Sequence, residues 1–292
     1  MRRRHFSVLV NLIGFDLFMR AVFLLFVYLL SACSSMTPEV RRNRADALAF
    51  AKSWQPLRLS THNFVLAAYV PAPIKASKVL TIYIEGDGLA WLNREQSSDD
   101  PTPLQPIALQ LALQHVQGAA AYLARPCQYV SDLDRRGCDV SYWTDRRFAP
   151  PVIDASSQAI DELKRRYEAD ALVLVGYSGG GAVAALVAAG RHDVVRLVTV
   201  AGNLDHRFWT VLHRVTPLTG SLNPADAWNS LQGISQLHFV GSADVNITPE
   251  VVSAYLSRFP IAYRPEMQVV PNVDHSCCWV KQWTKLSLHA FP

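Results

Sequence analysis

Short apolar runs rich in β-branched residues recur along this chain, and most lead into turn residues and then into a stretch of helical period. Phe64–Val70 is the first, stopped by Pro71 and Pro73. Val79–Ile84 follows, near-continuous and ended by Gly86-Asp87-Gly88; Tyr122–Val130, Ala171–Val175, Val195–Val200, Leu237–Val240 and Met267–Val270 complete the set. Runs without polar alternation suit strands buried on both faces. Ala45–Trp54, Pro106–Val116, Val152–Tyr167 and the Ala/Val-rich stretch ending at Ala189 carry helical patterns. Strands alternating with helices over about 230 residues predict one α/β domain, 57–292, on a doubly wound, mostly parallel sheet. The one long insertion, Gly202–Gln236, predicts a small cap over 203–236.

The first 33 residues read as an address. Arg20 precedes ten apolar residues, Ala21–Leu30, and then comes Leu30-Ser31-Ala32-Cys33. A positive start, a short apolar run and small residues before a cut site describe a secretory signal over 1–32. Residues 19–33 already form a complete signal, which makes Met19 an alternative start. The Cys directly after Leu-Ser-Ala resembles a bacterial lipobox. That resemblance implies cleavage before Cys33, acylation of its thiol and new amino terminus, and stable membrane attachment. In such lipoproteins an acidic residue after the Cys retains the protein at the inner membrane; Ser34 instead implies the outer membrane, facing the periplasm. Residues 33–56 then form a lipidated tether, polar from Ser34 to about Asn43, and a short helix. The competing reading is an uncleaved anchor over Phe6–Ala32, in which Asp16 and Arg20 would be costly at mid-bilayer.

Composition narrows the partners. With 50% hydrophobic and 18% charged residues, the 292-residue chain is not a disordered one. Residues 1–32 hold four Arg and one Asp; taking these from totals of 28 basic and 24 acidic leaves 24 and 23, a net charge of +1. A near-neutral body has no field to draw nucleic acid. With Cys33 lipidated, four Cys remain, an even number in an oxidising compartment. Cys127 with Cys138 is the preferred pairing, closing the polar loop Ser131–Gly137, worth about 3 kcal/mol in the chain-entropy view. Cys277 and Cys278 stay open between a strained vicinal disulfide, free thiols and other pairings. No CxxC or HExxH spacing accompanies them, so no metal is expected.

The chemistry centres on Gly176-Tyr177-Ser178-Gly179-Gly180, a G-x-S-x-G string with an apolar strand running in and a helix running out. A serine on so tight a turn needs a strained backbone, and small residues at Gly176 and Gly180 relieve the resulting crowding. Its hydroxyl then stands at a helix N-terminus, where the dipole favours a developing oxyanion. Here residues 60–285 resemble the α/β-hydrolase superfamily, in particular bacterial lipoprotein-type serine hydrolases. The resemblance implies a triad in the order nucleophile, acid, histidine. Ser178 matches the nucleophile, Asp244 after Leu237–Val240 the acid, and His275 after Met267–Val270 the base. Asp205 and Asp226 have no strand before them, and Asp274 is adjacent to the histidine, so none is given the acid role. The amides of Gly179 and Asp87 match the oxyanion donors, with Gly88 as second choice. Glu85 stands where the family often has His, so Glu85 and Asp87 must point away from the oxyanion or be paired.

The implied activity is acyl transfer to water through an acyl-enzyme, without cofactor, on a small-molecule or lipid-like acyl substrate; ester, thioester and amide all suit such a triad. The alternative is a non-catalytic envelope lipoprotein that uses the fold as a binding module. Phe208, Trp209, Val211, Leu212 and Leu218 are read equally as an acyl pocket or as packing of the cap. Arg146 and Arg147 beside Trp143 are read either as a binding point for an anionic group or, the preferred reading, as a solvated surface pair, and Trp91 and Asp100–Pro103 as the border of the entrance.

Overall fold

The computed structural model describes residues 36–291; the expected signal, Cys33 and Ser34 lie outside them. Eight strands form one sheet in the order β1-β2-β4-β3-β5-β6-β7-β8. β1 (Trp54–Ser60) and β2 (Val65–Pro71) form an antiparallel hairpin, and β2 pairs antiparallel with β4 (Ala119–Leu123). The remaining pairings, through β3 (Val79–Ile84), β5 (Ala171–Tyr177), β6 (Val194–Val200), β7 (Ser235–Gly241) and β8 (Glu266–Val270), are all parallel. The central strands are apolar throughout because the sheet is covered on both faces, and residues 80–84 and 172–177 are buried without alternation.

Strand order and handedness together place the site. The chain moves backwards from β3 to β4 through α2 (Ile107–Ala112), then forwards through α3 (Pro150–Arg166) to β5 and through α4 (Gly179–Ala189) to β6. Right-handed crossovers taken in opposite directions put their helices on opposite faces. Accordingly α3 packs on α4, while α2 packs on α8 (Trp279–Ala290). The crevice opened by that reversal lies at the carboxyl ends of β3 and β5, where ligands bind in such sheets.

Three elements differ from the sequence expectation. The polar stretch after Ser34 is not a free tether along its whole length: α1 (Pro38–Phe50) starts there and docks on β1, burying Ala45 and Ala49. Arg41 in this helix is buried too, donating to the Thr102 and Asp100 carbonyls beside the Asp100 carboxylate. The short helix expected over Ala45–Trp54 is thus displaced towards the N-terminus: the polar first turns of α1 hid its start, and Trp54 opens β1 instead of ending it. The strand expected over Tyr122–Val130 is β4, displaced towards the N-terminus. Pro126 cannot join a ladder, so Arg125–Gln128 turns back on itself, and the alanines that do pair carry little β signal. Cys127, within that turn, is bonded to Cys138 with their Cα atoms 5.7 Å apart, and Cys277 is bonded to Cys278.

The insertion 203–236 is only half a cap. α5 (His206–His213) and the residues after it border the crevice, whereas Pro224–Ala227 and α6 (Trp228–Leu231) pack on α4. α7 (Pro249–Leu256) then leads into β8.

Candidate active site

Strand register brings the site together before any side chain is considered. Ile84 on β3 is paired with Gly176 on β5, so Asp87 and Gly179, each three residues further on, arrive side by side. Gly241 on β7 is paired with Val270 on β8, which sets the loops carrying Asp244 and His275 next to each other. Gly241 is required there: a side chain on it would strike the Val273 carbonyl as that loop passes.

Ser178 sits between β5 and α4 with φ 52° and ψ −123°, a left-handed backbone at which a non-glycine residue is strained. The turn is held by its own backbone: Ser178 N–H donates to the Val200 carbonyl, and the Ser178 carbonyl accepts from Gly181 and Asn203. Ser178 Oγ is 3.0 Å from His275 Nε2, and His275 Nδ1 is 2.9 Å from Asp244 Oδ2. Asp244 is buried, and its other oxygen accepts from the Asn246 and Ile247 amides, so the carboxylate is fixed at both ends. This row can move a proton from hydroxyl to imidazole while the carboxylate holds the ring.

His275 is oriented through its backbone by residues that sequence reading did not single out. Its carbonyl accepts from Tyr177 Oη at 2.9 Å and from Trp279 Nε1 at 3.1 Å, and the Tyr177 ring lies against the imidazole at 5.6 Å. Tyr177 is the variable position inside the G-x-S-x-G string, which was its only available signal. Asp274 turns away and accepts from the Ser276 and Cys277 amides, staying below its ordinary acidity range through those bonds. Asp205 caps α5 and Asp226 pairs with Arg207, so neither reaches His275.

The Gly179 and Asp87 amides have no acceptor among the described residues, as expected of a helix N-terminus and of an open turn beside it. A side chain at Gly179 would collide with the Asp87 carboxylate. That carboxylate is held by Arg147 Nη1 at 2.7 Å and Arg125 Nη1 at 3.1 Å. Burial alone would raise its pKa, but the Arg147 and Arg125 charges outweigh this and hold it below the ordinary value. Arg147 is therefore not the solvated surface residue expected from the sequence. It is buried, because its charge finds a partner on another loop; Arg146 instead covers the Tyr142 ring at 4.8 Å.

Glu85 is also turned from the site. One oxygen accepts from the Gly86 and Ala108 amides and the other from Tyr122 Oη. Burial pushes its carboxyl up from 4.5 to about 7 despite these bonds. The folded protein then keeps a proton that the unfolded chain has released, so stability is lost as pH rises through this window, by up to about 3 kcal/mol. Glu85→Gln, neutral throughout, is expected to flatten the melting temperature between pH 4.5 and 7.5; a profile as steep as that of the unsubstituted protein would assign the slope to another group.

Ser178 and His275 lie on the wall of a cavity of about 1090 Å³, bordered by Trp91 and Pro103 on one side and by Trp209 and Arg214–Leu218 on the other. Of the five apolar insertion residues, Trp209 and Leu218 line it. Phe208 and Val211 border a separate surface depression, and Leu212 is exposed. Among the described residues no cluster of three or more His, Cys, Asp or Glu side chains is placed to hold a metal ion.

No family model matches the sequence, and no curated protein does. Solved structures do match in shape. An esterase from Pyrococcus furiosus superposes with a TM-score of 0.54 at 14% identity, covering 81% of this chain and 88% of its own. A putative dienelactone hydrolase from Klebsiella pneumoniae gives 0.54 at 17%, covering 81% and 97%. An α/β serine hydrolase without lid from Xanthomonas campestris gives 0.51 at 16%, covering 82% and 97%. Strand order, the strand-to-helix turn at Ser178 and these superpositions agree: the chain has the α/β-hydrolase fold.

Proposed function

We propose that this protein is a serine hydrolase that cleaves an ester or related acyl substrate through an acyl-enzyme on Ser178, and that an acylated Cys33 tethers it to the outer membrane facing the periplasm. The observation that carries the catalytic part is the hydrogen-bonded row Ser178–His275–Asp244 on a cavity wall, beside two amides that have no acceptor among the described residues. Esterase and serine-hydrolase names among the structural neighbours support it. The tether rests on Leu30-Ser31-Ala32-Cys33; no helix among the described residues is long and apolar enough to cross a membrane.

In this reading His275 Nε2 takes the Ser178 proton as Oγ attacks the carbonyl carbon. The Gly179 and Asp87 amides hold the oxyanion, which preorganised donors stabilise more than the ground-state carbonyl. Collapse breaks the ester C–O bond, and the leaving alcohol takes the proton from His275. Water then attacks the acyl-enzyme with its proton going to His275, which passes it to Ser178 Oγ as the acyl C–O bond breaks and the acid product leaves.

The test is fluorophosphonate labelling of cells that express the full chain, followed by fractionation. Expected are one labelled band in the membrane fraction, its loss in Ser178→Ala and His275→Ala, and its release to the soluble fraction, still labelled, in Cys33→Ser. A folded protein that takes no label overturns the hydrolase reading in favour of the binding module. A Cys33→Ser band that stays with the membrane overturns the tether.

A further inference from the structure

The acyl-transfer scheme leaves one charge at the site unused. Two guanidiniums, those of Arg125 and Arg147, face the single carboxylate of Asp87. Glu85, the next carboxyl along the same loop, is turned to the Gly86 and Ala108 amides and the Tyr122 hydroxyl and does not balance them. One positive charge is therefore left over beside the amides of Asp87 and Gly179.

The two arginines differ in what they have left to give. Arg125 is inside the protein: Nη1 donates to Asp87, Nη2 to the Arg147 carbonyl, and its guanidinium lies 5.3 Å from the Phe148 ring centre. Arg147 lines the cavity. Its Nε donates to the Thr144 carbonyl at 2.6 Å and its Nη1 to Asp87 at 2.7 Å. Its Nη2 has no acceptor among the described residues and is not among the buried polar atoms. The guanidinium is thus pinned at two points, and its third nitrogen is unpaired on a residue that lines the cavity. A planar fork held in this way is suited to a carboxylate or a similar oxyanion. Arg94 and Arg214 also line the cavity and make no ion pair among the described residues; Asp145 lines it too.

Resting on the hydrolase reading above, we infer that Arg147 is an anion-binding residue of this cavity and that the preferred substrates are esters carrying a carboxylate, or another small anionic group, a few bonds from the scissile carbonyl. Because the guanidinium is desolvated and already oriented, binding such a group costs little ordering.

Two matched substrate pairs test this: 4-nitrophenyl hemisuccinate against its uncharged isostere 4-nitrophenyl 4-methylpentanoate, and 4-carboxyphenyl acetate against 4-methylphenyl acetate. The readout is the ratio of kcat/KM within each pair, which cancels any general damage from disturbing Asp87. The full-length enzyme should prefer the charged member of at least one pair, and Arg147→Gln should cut that ratio roughly 10- to 100-fold. Arg147→Lys, which keeps the charge but not the fork, should retain part of it. If Arg147→Gln does not fold, the unsubstituted ratio should still fall between 50 and 500 mM salt as screening increases. A preference for the neutral member in both pairs, or ratios that neither substitution nor salt moves, overturns the inference and leaves the hydrolase reading standing. Absence of Ser178-dependent turnover of all four esters overturns the hydrolase reading and the inference together.

Discussion

Asp244→Asn is expected to lower kcat by roughly 10⁴-fold with little change in KM or Tm. The carboxylate makes two kinds of contact, and the amide can satisfy only one correctly. Asp244 Oδ1 accepts from the Asn246 and Ile247 amides, so an Asn would keep its carbonyl oxygen there. Its NH2 would then face His275 Nδ1, which would have to accept, placing the ring proton on Nε2 towards Ser178 Oγ. An imidazole in that tautomer has no lone pair with which to take the hydroxyl proton. Flipping the amide would leave two donors facing two backbone N–H groups and would lose two hydrogen bonds of about 1 kcal/mol each. A loss of activity below ten-fold would move the acid role away from Asp244, with Asp274 the nearest candidate.

Gly176→Ala is expected to cost about 4 kcal/mol, a drop in Tm of roughly 8–16 °C. A side chain at 176 would strike the backbone of Gly180 and Gly181. Gly180 has little room to retreat, because even a Cβ on it would strike the Ile84 and Glu85 carbonyls. β5 cannot retreat either, being hydrogen-bonded to β3 on one side and β6 on the other. The clash is therefore backbone against backbone and has no rotamer to relieve it. A change in Tm of less than 2 °C, measured calorimetrically, would show that the turn can open and that the glycine is not a packing requirement.

Much of this was legible from local chemistry. The strand cores β3 and β5 are near-continuous apolar runs because both faces of the sheet are covered there, and that pattern survives any ignorance of their neighbours; β8, at the sheet edge, is mostly not buried although its Met267–Val270 run marked it. The turn at Ser178 announces itself because close backbone approach excludes every residue but glycine at 176 and 180. The start of α1 and the position of β4 were not legible. The first turns of α1 are anchored by the buried Arg41, ahead of Ala45 and Ala49, and β4 is a run of alanines whose pairing is decided by β3 and β2.

By itself the sequence determined where a strained serine turn would form and which Asp and His would follow the later strands, since each depends on residues within a few positions of one another. Only the tertiary structure decided what surrounds them. Arg125 and Arg147 lie 38 and 60 positions from Asp87, on a turn after β4 and a loop before α3, and neither carries a local mark of its destination. Read locally, Arg147 beside Arg146 was either an anion-binding pair or, by preference, a solvated one. The fold buries it against a carboxylate from another loop, because a charge withdrawn from water must find its partner wherever strand register brings one within reach.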